Sequence, residues 1–135
     1  MKRSLYLAVL TVAIYMLSGC RPAPSLVGTW ESGMGGALSR YHFYPSGKFV
    51  LEDLFEATRA QIEGNYKVEG GKLFLTPSHV DVQGEGPAAD QIRSVANQPS
   101  RVTITSQSDA NFQLGKDNPP LMVHKISPDP DQPKF

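Results

Sequence analysis

The sequence has very little cysteine and no excess of either charge, and both facts limit what the chain can do. It contains a single cysteine, so an internal disulfide bond is excluded. Its 13 basic residues balance 13 acidic ones, and the basic residues form no run. A chain without a basic patch lacks the electrostatic field that attracts nucleic acid. We therefore expect no nucleic-acid partner.

Recognisable metal-binding spacings are also missing. The chain has three histidines, which lie far apart in the sequence: His42, His79 and His124. None of them has a histidine or cysteine neighbour at the spacing of metal ligands. His42 alternates with aromatic residues on its predicted strand, which places it on the solvent-facing side. We expect no metal site.

The sequence contains no catalytic motif either. The densest acidic group is Glu52, Asp53 and Glu56. Neighbouring residues on a strand point to opposite faces, so this group predicts a solvated rim rather than a catalytic carboxylate pair. No serine lies in a nucleophile motif. We expect that the protein is not an enzyme and uses no cofactor.

The beginning of the chain has the pattern of a bacterial export signal. Lys2 and Arg3 precede an apolar run from Leu5 to Met16. That length is typical of the apolar part of a signal peptide, whereas a membrane-spanning helix needs about 20 apolar residues. The run ends at Ser18-Gly19, which favours a cleaved signal over a membrane-spanning anchor.

The four residues Leu17-Ser18-Gly19-Cys20 resemble the lipobox of bacterial lipoproteins. The resemblance implies cleavage between Gly19 and Cys20 and a diacylglycerol group on the Cys20 sulfur, with further acylation of the new amino terminus. Two or three acyl chains anchor a protein stably to a membrane. Because residue 21 is arginine rather than aspartate, the resemblance implies the outer membrane if the cell is Gram-negative. An ordinary secretory signal with a chance cysteine is the alternative.

These features divide the chain into four parts. Residues 1–19 are the signal, and residues 20–25 are the lipidated cysteine and a tether that two prolines bias towards extended backbone. Residues 26–127 are one folded domain. Residues 128–135 are rich in proline and aspartate, which predicts a disordered tail.

The folded domain alternates apolar and polar residues in short runs, which predicts antiparallel strands. The predicted strands cover 26–32, 38–44, 48–55, 59–68, 72–76, 101–106, 112–115 and 121–126. Pro45-Ser46-Gly47 and Glu69-Gly70-Gly71 have the composition of turns. Residues 56–58 are predicted as a turn rather than a helical turn capped by Asp53, and 80–86 has only a weak pattern.

One helix is predicted over 88–98, since Pro87 suits a first helical turn and Pro99 ends it. Seven or eight short strands with tight turns and one short helix indicate an all-β fold. A closed up-and-down barrel is favoured because closure removes exposed strand edges. A β-sandwich is the alternative.

Three groups of residues resemble the small lipocalin-like (calycin-type) barrel domains of bacterial lipoproteins, a family of uncharacterised function. They are Gly28-Thr29-Trp30; the set Tyr41, Phe43, Gly47 and Phe49; and the set Gly64, Tyr66, Val68, Gly70-Gly71, Leu73 and Leu75. The resemblance implies that Trp30 closes one end of the barrel and that a basic side chain of the last strand stacks on it. Lys125 is the candidate for that side chain and His124 is the second choice.

The predicted interior contains bulky side chains that would either fill the barrel or line a ligand site: Tyr41, Phe43, Phe49, Leu51, Tyr66 and Leu75. A barrel of eight strands encloses a narrow space of this kind. We expect a non-enzymatic, lipid-anchored envelope protein whose barrel binds a small apolar ligand or a protein partner. A structural or assembly module with a filled barrel is one alternative. A periplasmic inhibitor of an enzyme or protease, acting through a terminal segment, is another.

Overall fold

The computed structural model of the chain describes residues 25–108, 111–114 and 121–132, and these form a closed antiparallel β-barrel. Eight strands follow one another around the barrel in chain order. The ring closes where the first strand pairs with the last. The prediction of an all-β up-and-down barrel with one short helix is confirmed, and the sandwich alternative is wrong.

The strands are β1 (Gly28–Met34), β2 (Ala37–Phe43), β3 (Lys48–Phe55), β4 (Thr58–Glu69), β5 (Lys72–Gln83), β6 (Ser100–Gln107), β7 (Asn111–Leu114) and β8 (Leu121–Ser127). A single helix, α1 (Pro87–Val95), lies between β5 and β6. No helix within the described residues is long and apolar enough to cross a membrane.

The bounds of β3 agree with the sequence prediction, whereas β5 is much longer than predicted. Residues 77–83 have little alternation of their own, yet they pair with β4 as far as Arg59↔Gln83. Pairing with the long strand β4 holds these residues in strand geometry, although their own sequence pattern does not predict a strand. The predicted turn over 56–58 is present at Glu56 and Ala57, with Glu56 at a φ of 53°, and Thr58 already begins β4.

The two ends of the barrel differ, and we name them by what they contain. Gly28, the first residue of β1, pairs with Phe43, the last residue of β2, so the start of β1 and the β2–β3 turn lie at the same end. Because the strands alternate in direction, the β4–β5 turn lies at this end too, and we name it the closed end. The mouth holds the β1–β2 and β3–β4 turns and α1. Alternation along each strand sends every second side chain inward at both ends.

The closed end is filled with aromatic side chains. Trp30 meets Phe112 edge to face, with 4.8 Å between ring centroids, and Phe43 meets Tyr66 in the same way at 4.8 Å. Trp30 Nε1 donates to the Leu26 carbonyl at 2.7 Å, so the buried indole has its hydrogen bond. Burial of each such side chain stabilises the fold by about 1.5–3 kcal/mol.

The chain does not leave the barrel where β8 ends. Residues 128–132, named here the strap, continue across the outside of β1 and β2, and Thr29 Oγ1 donates to the Asp129 carbonyl at 2.7 Å. Gly28 permits this crossing, because a Cβ there would lie 2.6 Å from the Ser127 carbonyl oxygen. Residues 128–132 belong to the segment predicted as a disordered tail, and in the structure they contact Thr29 and His42, while 133–135 lie outside the described residues.

Candidate functional site

The mouth of the barrel contains an open recess of about 130 Å³. Four inward side chains of β3, β4 and β5 line it, and the end of α1 contributes two more: Phe49, Leu51, Ile62, Leu75, Val95 and Ala96. Pro77, Gln98 and Ser100 complete the lining. The recess is therefore mainly apolar, which suits a hydrocarbon group.

Helix α1 is held over this side of the barrel by a buried small residue and one arginine. Ala89 is fully buried where α1 packs on β4 and β5. Arg93 donates to the Gly84 carbonyl at 2.8 Å, which ties the helix to the end of β5. Val95, at the last turn, lines the recess and is still 55% exposed. The helix thus covers the recess only in part.

The six side chains predicted to form the interior divide into two groups. Phe49, Leu51 and Leu75 line the recess. Tyr41, Phe43 and Tyr66 belong to the aromatic packing instead. The ring centroids of Tyr41 and Phe43 are 6.1 Å apart, and the Tyr66 ring packs against Phe43. Aromatic side chains thus fill the closed end of the barrel, and a recess of about 130 Å³ is left at the mouth.

Four polar side chains face inward on neighbouring strands near the mouth, and they are named here the mouth cluster: Ser32, Ser39, Tyr41 and Asp53. Ser39 and Asp53 are paired in register, and Ser39 Oγ donates to Asp53 Oδ1 at 2.5 Å. Burial raises the pKa of the Asp53 carboxyl, while the hydrogen bond from Ser39 opposes that rise. Asp53 faces inward and is half-buried, so it is less solvated than the predicted rim position implies.

Tyr41 belongs both to the aromatic packing of the interior and to the mouth cluster. Burial, and next the negative charge of Asp53, raise the pKa of its phenol to about 12, whereas its hydrogen bond with Ser32 acts in the opposite direction. The phenol is therefore a neutral hydrogen-bonding group at physiological pH.

Glu52 and His42 form a buried pair on the outer face of the sheet, beneath the strap. His42 Nε2 lies 2.8 Å from Glu52 Oε2, and the two residues are 1% and 4% exposed. His42 Nδ1 lies 2.8 Å from the Pro130 carbonyl oxygen and 3.3 Å from Thr29 Oγ1. The carbonyl oxygen of Pro130 can only accept, so Nδ1 donates to it, and Nε2 is hydrogen-bonded to the Glu52 carboxyl group. The solvent-facing prediction for His42 is wrong.

The sequence contained no local signal for that burial. His42 and Pro130 are separated by 88 positions, and the strap that covers the histidine was predicted as disordered. Glu56, the third member of the acidic group, is exposed in the β3–β4 turn. His79 and His124 are also exposed.

At the closed end, Lys125 Nζ lies 4.9 Å from the centre of the Trp30 ring, and the two residues are paired in register. The contact that the family resemblance implied is thus present. His124, the second choice, points the other way and contacts Asn111. A cation over an indole face stabilises by about 0.5–2 kcal/mol.

A larger groove of about 310 Å³ lies on the outside of β3 and β4, beside Tyr44, Lys48 and Glu63. Its lining is half polar and carries charges of both signs. We place the candidate ligand site in the recess, because enclosure by apolar side chains with a few polar groups is what binds small molecules.

Within the described part of the chain, no group of three or more histidine, cysteine, aspartate or glutamate side chains is arranged to hold a metal. Gly19 and Cys20 lie outside the described residues. Comparison with models of known protein families gives no match, and no curated protein matches the sequence.

Proposed function

We propose that this protein is a lipid-anchored envelope protein whose barrel binds a small apolar molecule, or the apolar group of a protein partner, in the mouth recess. The observation that carries the proposal is the apolar lining of the recess by Phe49, Leu51, Ile62 and Leu75 at the end of an otherwise filled barrel. The activity proposed is binding without a chemical step.

The size of the recess limits the ligand. An apolar cavity of about 150 Å³ in another protein accepts benzene, and the recess here is close to that volume at about 130 Å³. Sites for drug-sized molecules have volumes of about 300–1,000 Å³. The recess therefore suits a single aromatic ring or a short branched alkyl group, and it is too small for a whole fatty-acid chain.

The membrane anchor is supported by the sequence of the first 20 residues. We propose that Cys20 carries the diacylglycerol and acyl groups, that these are the only added groups, and that the protein is held at the outer membrane if the cell is Gram-negative. The Cys20→Ser chain should lose both the mass of the lipid and its place in the membrane fraction. Mass spectrometry and cell fractionation measure the two effects, and a Cys20→Ser chain of unchanged behaviour would contradict the anchor.

Ligand binding is tested with the full chain in lipid nanodiscs, titrated with benzyl alcohol in a calorimeter against empty nanodiscs. The Ala96→Leu variant places a larger side chain into the recess from the end of α1. We expect it to weaken binding by at least tenfold, about 1.4 kcal/mol. Ser94→Leu adds the same side chain at an exposed position of α1 and should bind as the natural chain does.

The second candidate function is a purely structural module. The packing of Trp30, Phe43 and Phe112 at the closed end favours it, because a filled interior stabilises a barrel without any ligand. If neither benzyl alcohol nor any other probe of ring size binds, the structural function replaces ligand binding.

A further inference from the structure

Asp53 lies on β3 near the mouth, on the same strand as the recess-lining Leu51. It is two positions after Leu51 on β3, so both side chains face inward, and their backbones are about 7 Å apart. Leu51 lines the recess. In register, Asp53 lies between Ser39 on β2 and Ala60 on β4. The Asp53 side chain thus faces inward on the mouth side of Leu51.

This carboxylate has no positive partner among the residues that the structure describes. The ion pairs there involve other carboxylates, those of Glu31, Glu52, Glu69 and Asp90. Arg40, on the neighbouring strand, pairs with Glu31 on the outer face. Ser39 supplies Asp53 with one neutral hydrogen bond.

A half-buried carboxylate without a cation is unfavourable for the fold alone, because desolvation penalises its charge. Burial accordingly raises the pKa of the Asp53 carboxyl. An ionisable group of this kind in a cleft is a candidate for ligand binding. Replacement of such a group by a neutral one would improve a barrel that has only a structural role.

We infer that the ligand is a small primary amine that carries a ring or a short branched alkyl group, with its ammonium on Asp53 and its apolar group in the recess. The inference rests on the proposed function. An ammonium offers three donors, and the carboxylate of Asp53 and the hydroxyl oxygens of the mouth cluster are acceptors. The same carboxylate repels anionic ligands, so the site selects amines over carboxylic acids of equal size.

The test compares three probes that share one ring: benzylamine, benzyl alcohol and benzoate. Each is titrated into the full chain in nanodiscs, with empty nanodiscs as the baseline. The variant is Asp53→Asn, which keeps an oxygen for the hydrogen bond from Ser39. The control is Asp81→Asn, which removes the same charge from an exposed position of β5.

We expect benzylamine to bind most tightly and Asp53→Asn to weaken it by ~10–100-fold, the range for loss of a charge-assisted hydrogen bond. Benzyl alcohol should bind Asp53→Asn as it binds the natural chain, which also shows that the variant is folded. Asp81→Asn should change neither affinity. If amine and alcohol bind equally, or Asp53→Asn leaves the amine unaffected, the amine inference is overturned and the proposed function stands. If no probe binds, both are overturned.

Acidification gives a second readout on the natural chain. The groups that face Asp53 are Ser39 and Tyr41 on β2, Ser32 on β1 and Ala60 on β4, and Tyr41 is the titratable one. Tyr41 stays neutral because its pKa is about 12. Protonation of Asp53 should therefore weaken benzylamine binding and leave benzyl alcohol unchanged. An amine affinity that does not fall on acidification would contradict the role of Asp53.

Discussion

Gly64 shows how strongly one position constrains this barrel. It lies beside the irregularity in the β4–β5 register, and a Cβ added there would be 2.1 Å from the Thr76 carbonyl oxygen and 2.8 Å from the Pro77 Cα. Backbone atoms cannot move aside as a flexible side chain can. The glycine is required for space, since its φ is not in the left-handed region.

We expect Gly64→Ala to reduce the free energy of unfolding by about 1–3 kcal/mol or more, as overpacking does. Gly33→Ala is the matched control on β1, where the nearest atom would be 3.7 Å from the new Cβ. It should change stability by less than about 0.5 kcal/mol. Urea denaturation of both variants measures the difference. Equal losses of stability would show that the backbone around Gly64 shifts to make room for the added Cβ, and would contradict the prediction.

Asp53 carries the second prediction at this scale. Burial raises its pKa in the folded protein, so the folded state holds the proton more tightly than the unfolded chain does. As pH rises through the window between the unfolded and the folded pKa, ionisation of Asp53 lowers stability, and above that window the loss is complete. Asp53→Asn should therefore be more stable than the natural chain at neutral pH, with a difference that disappears in acid.

Thermal unfolding from acidic to neutral pH measures this difference. Asp81→Asn, at an exposed position, should show no such gain. A loss of stability in Asp53→Asn that is equal at every pH would mean that the hydrogen bond with Ser39 outweighs the charge. The stabilising substitution is also the one expected to weaken amine binding, which is the usual conflict between stability and function at a site.

At the scale of elements, the strap and the outer face of β1–β3 form one unit. Thr29 and His42 bind the carbonyl oxygens of Asp129 and Pro130, and Glu52 pairs with the far side of the histidine ring. The strap closes over polar side chains that would otherwise need water. The His42–Glu52 pair is consequently buried, unlike the neighbouring pair Arg40–Glu31, whose side chains are 19% and 30% exposed.

This contrast predicts different effects for two similar substitutions. Glu52→Ala should lower the free energy of unfolding by about 3–5 kcal/mol, because it leaves His42 buried without its partner. Glu31→Ala breaks the exposed pair and should cost at most about 1 kcal/mol. Hydrogen exchange at the amides of Asp129 and Asp131 should also increase in Glu52→Ala alone. Equal losses of stability would mean that the strap does not shield the pair.

The helix and the strands differ in how well the sequence predicted them. The hairpin from β2 to β3 has strong alternation and a Pro-Ser-Gly turn, so its bounds follow from local residues. Residues 77–83 follow the register of β4 instead of a pattern of their own. Helix α1 ends at Val95 rather than at residue 98, with the Ala96 amide still bonded to the Ile92 carbonyl.

At the scale of the whole molecule, the proposed anchor sets the orientation of the barrel. The tether enters β1 at the closed end, where the Leu26 carbonyl is held by Trp30. The chain from Cys20 to Leu26 spans at most about 20 Å when it is fully extended. The closed end should therefore lie next to the membrane, and the mouth with its recess should face away from it.

Two labelled variants test this orientation. A fluorophore on Ser46→Cys, in the β2–β3 turn, should be quenched by quenchers in the lipid more strongly than one on Gln91→Cys in α1. Both positions are exposed, so neither label disturbs the core. Stronger quenching at residue 91 would place the mouth against the membrane and contradict the predicted orientation of the barrel.

The sequence by itself determined the strand order, the turns and the set of inward aromatic residues, because alternation with a period of two is a local property of the chain. The resemblance to lipocalin-like domains implied the contact between Lys125 and Trp30. Tertiary structure alone decided that one half of the barrel is filled and the other open, since that depends on where α1 packs on β4 and β5. It also decided that Asp53 faces inward without a cation and that the strap buries His42. Those outcomes arise from contacts between residues far apart in the chain, and their burial changes the chemistry of side chains that look ordinary in sequence.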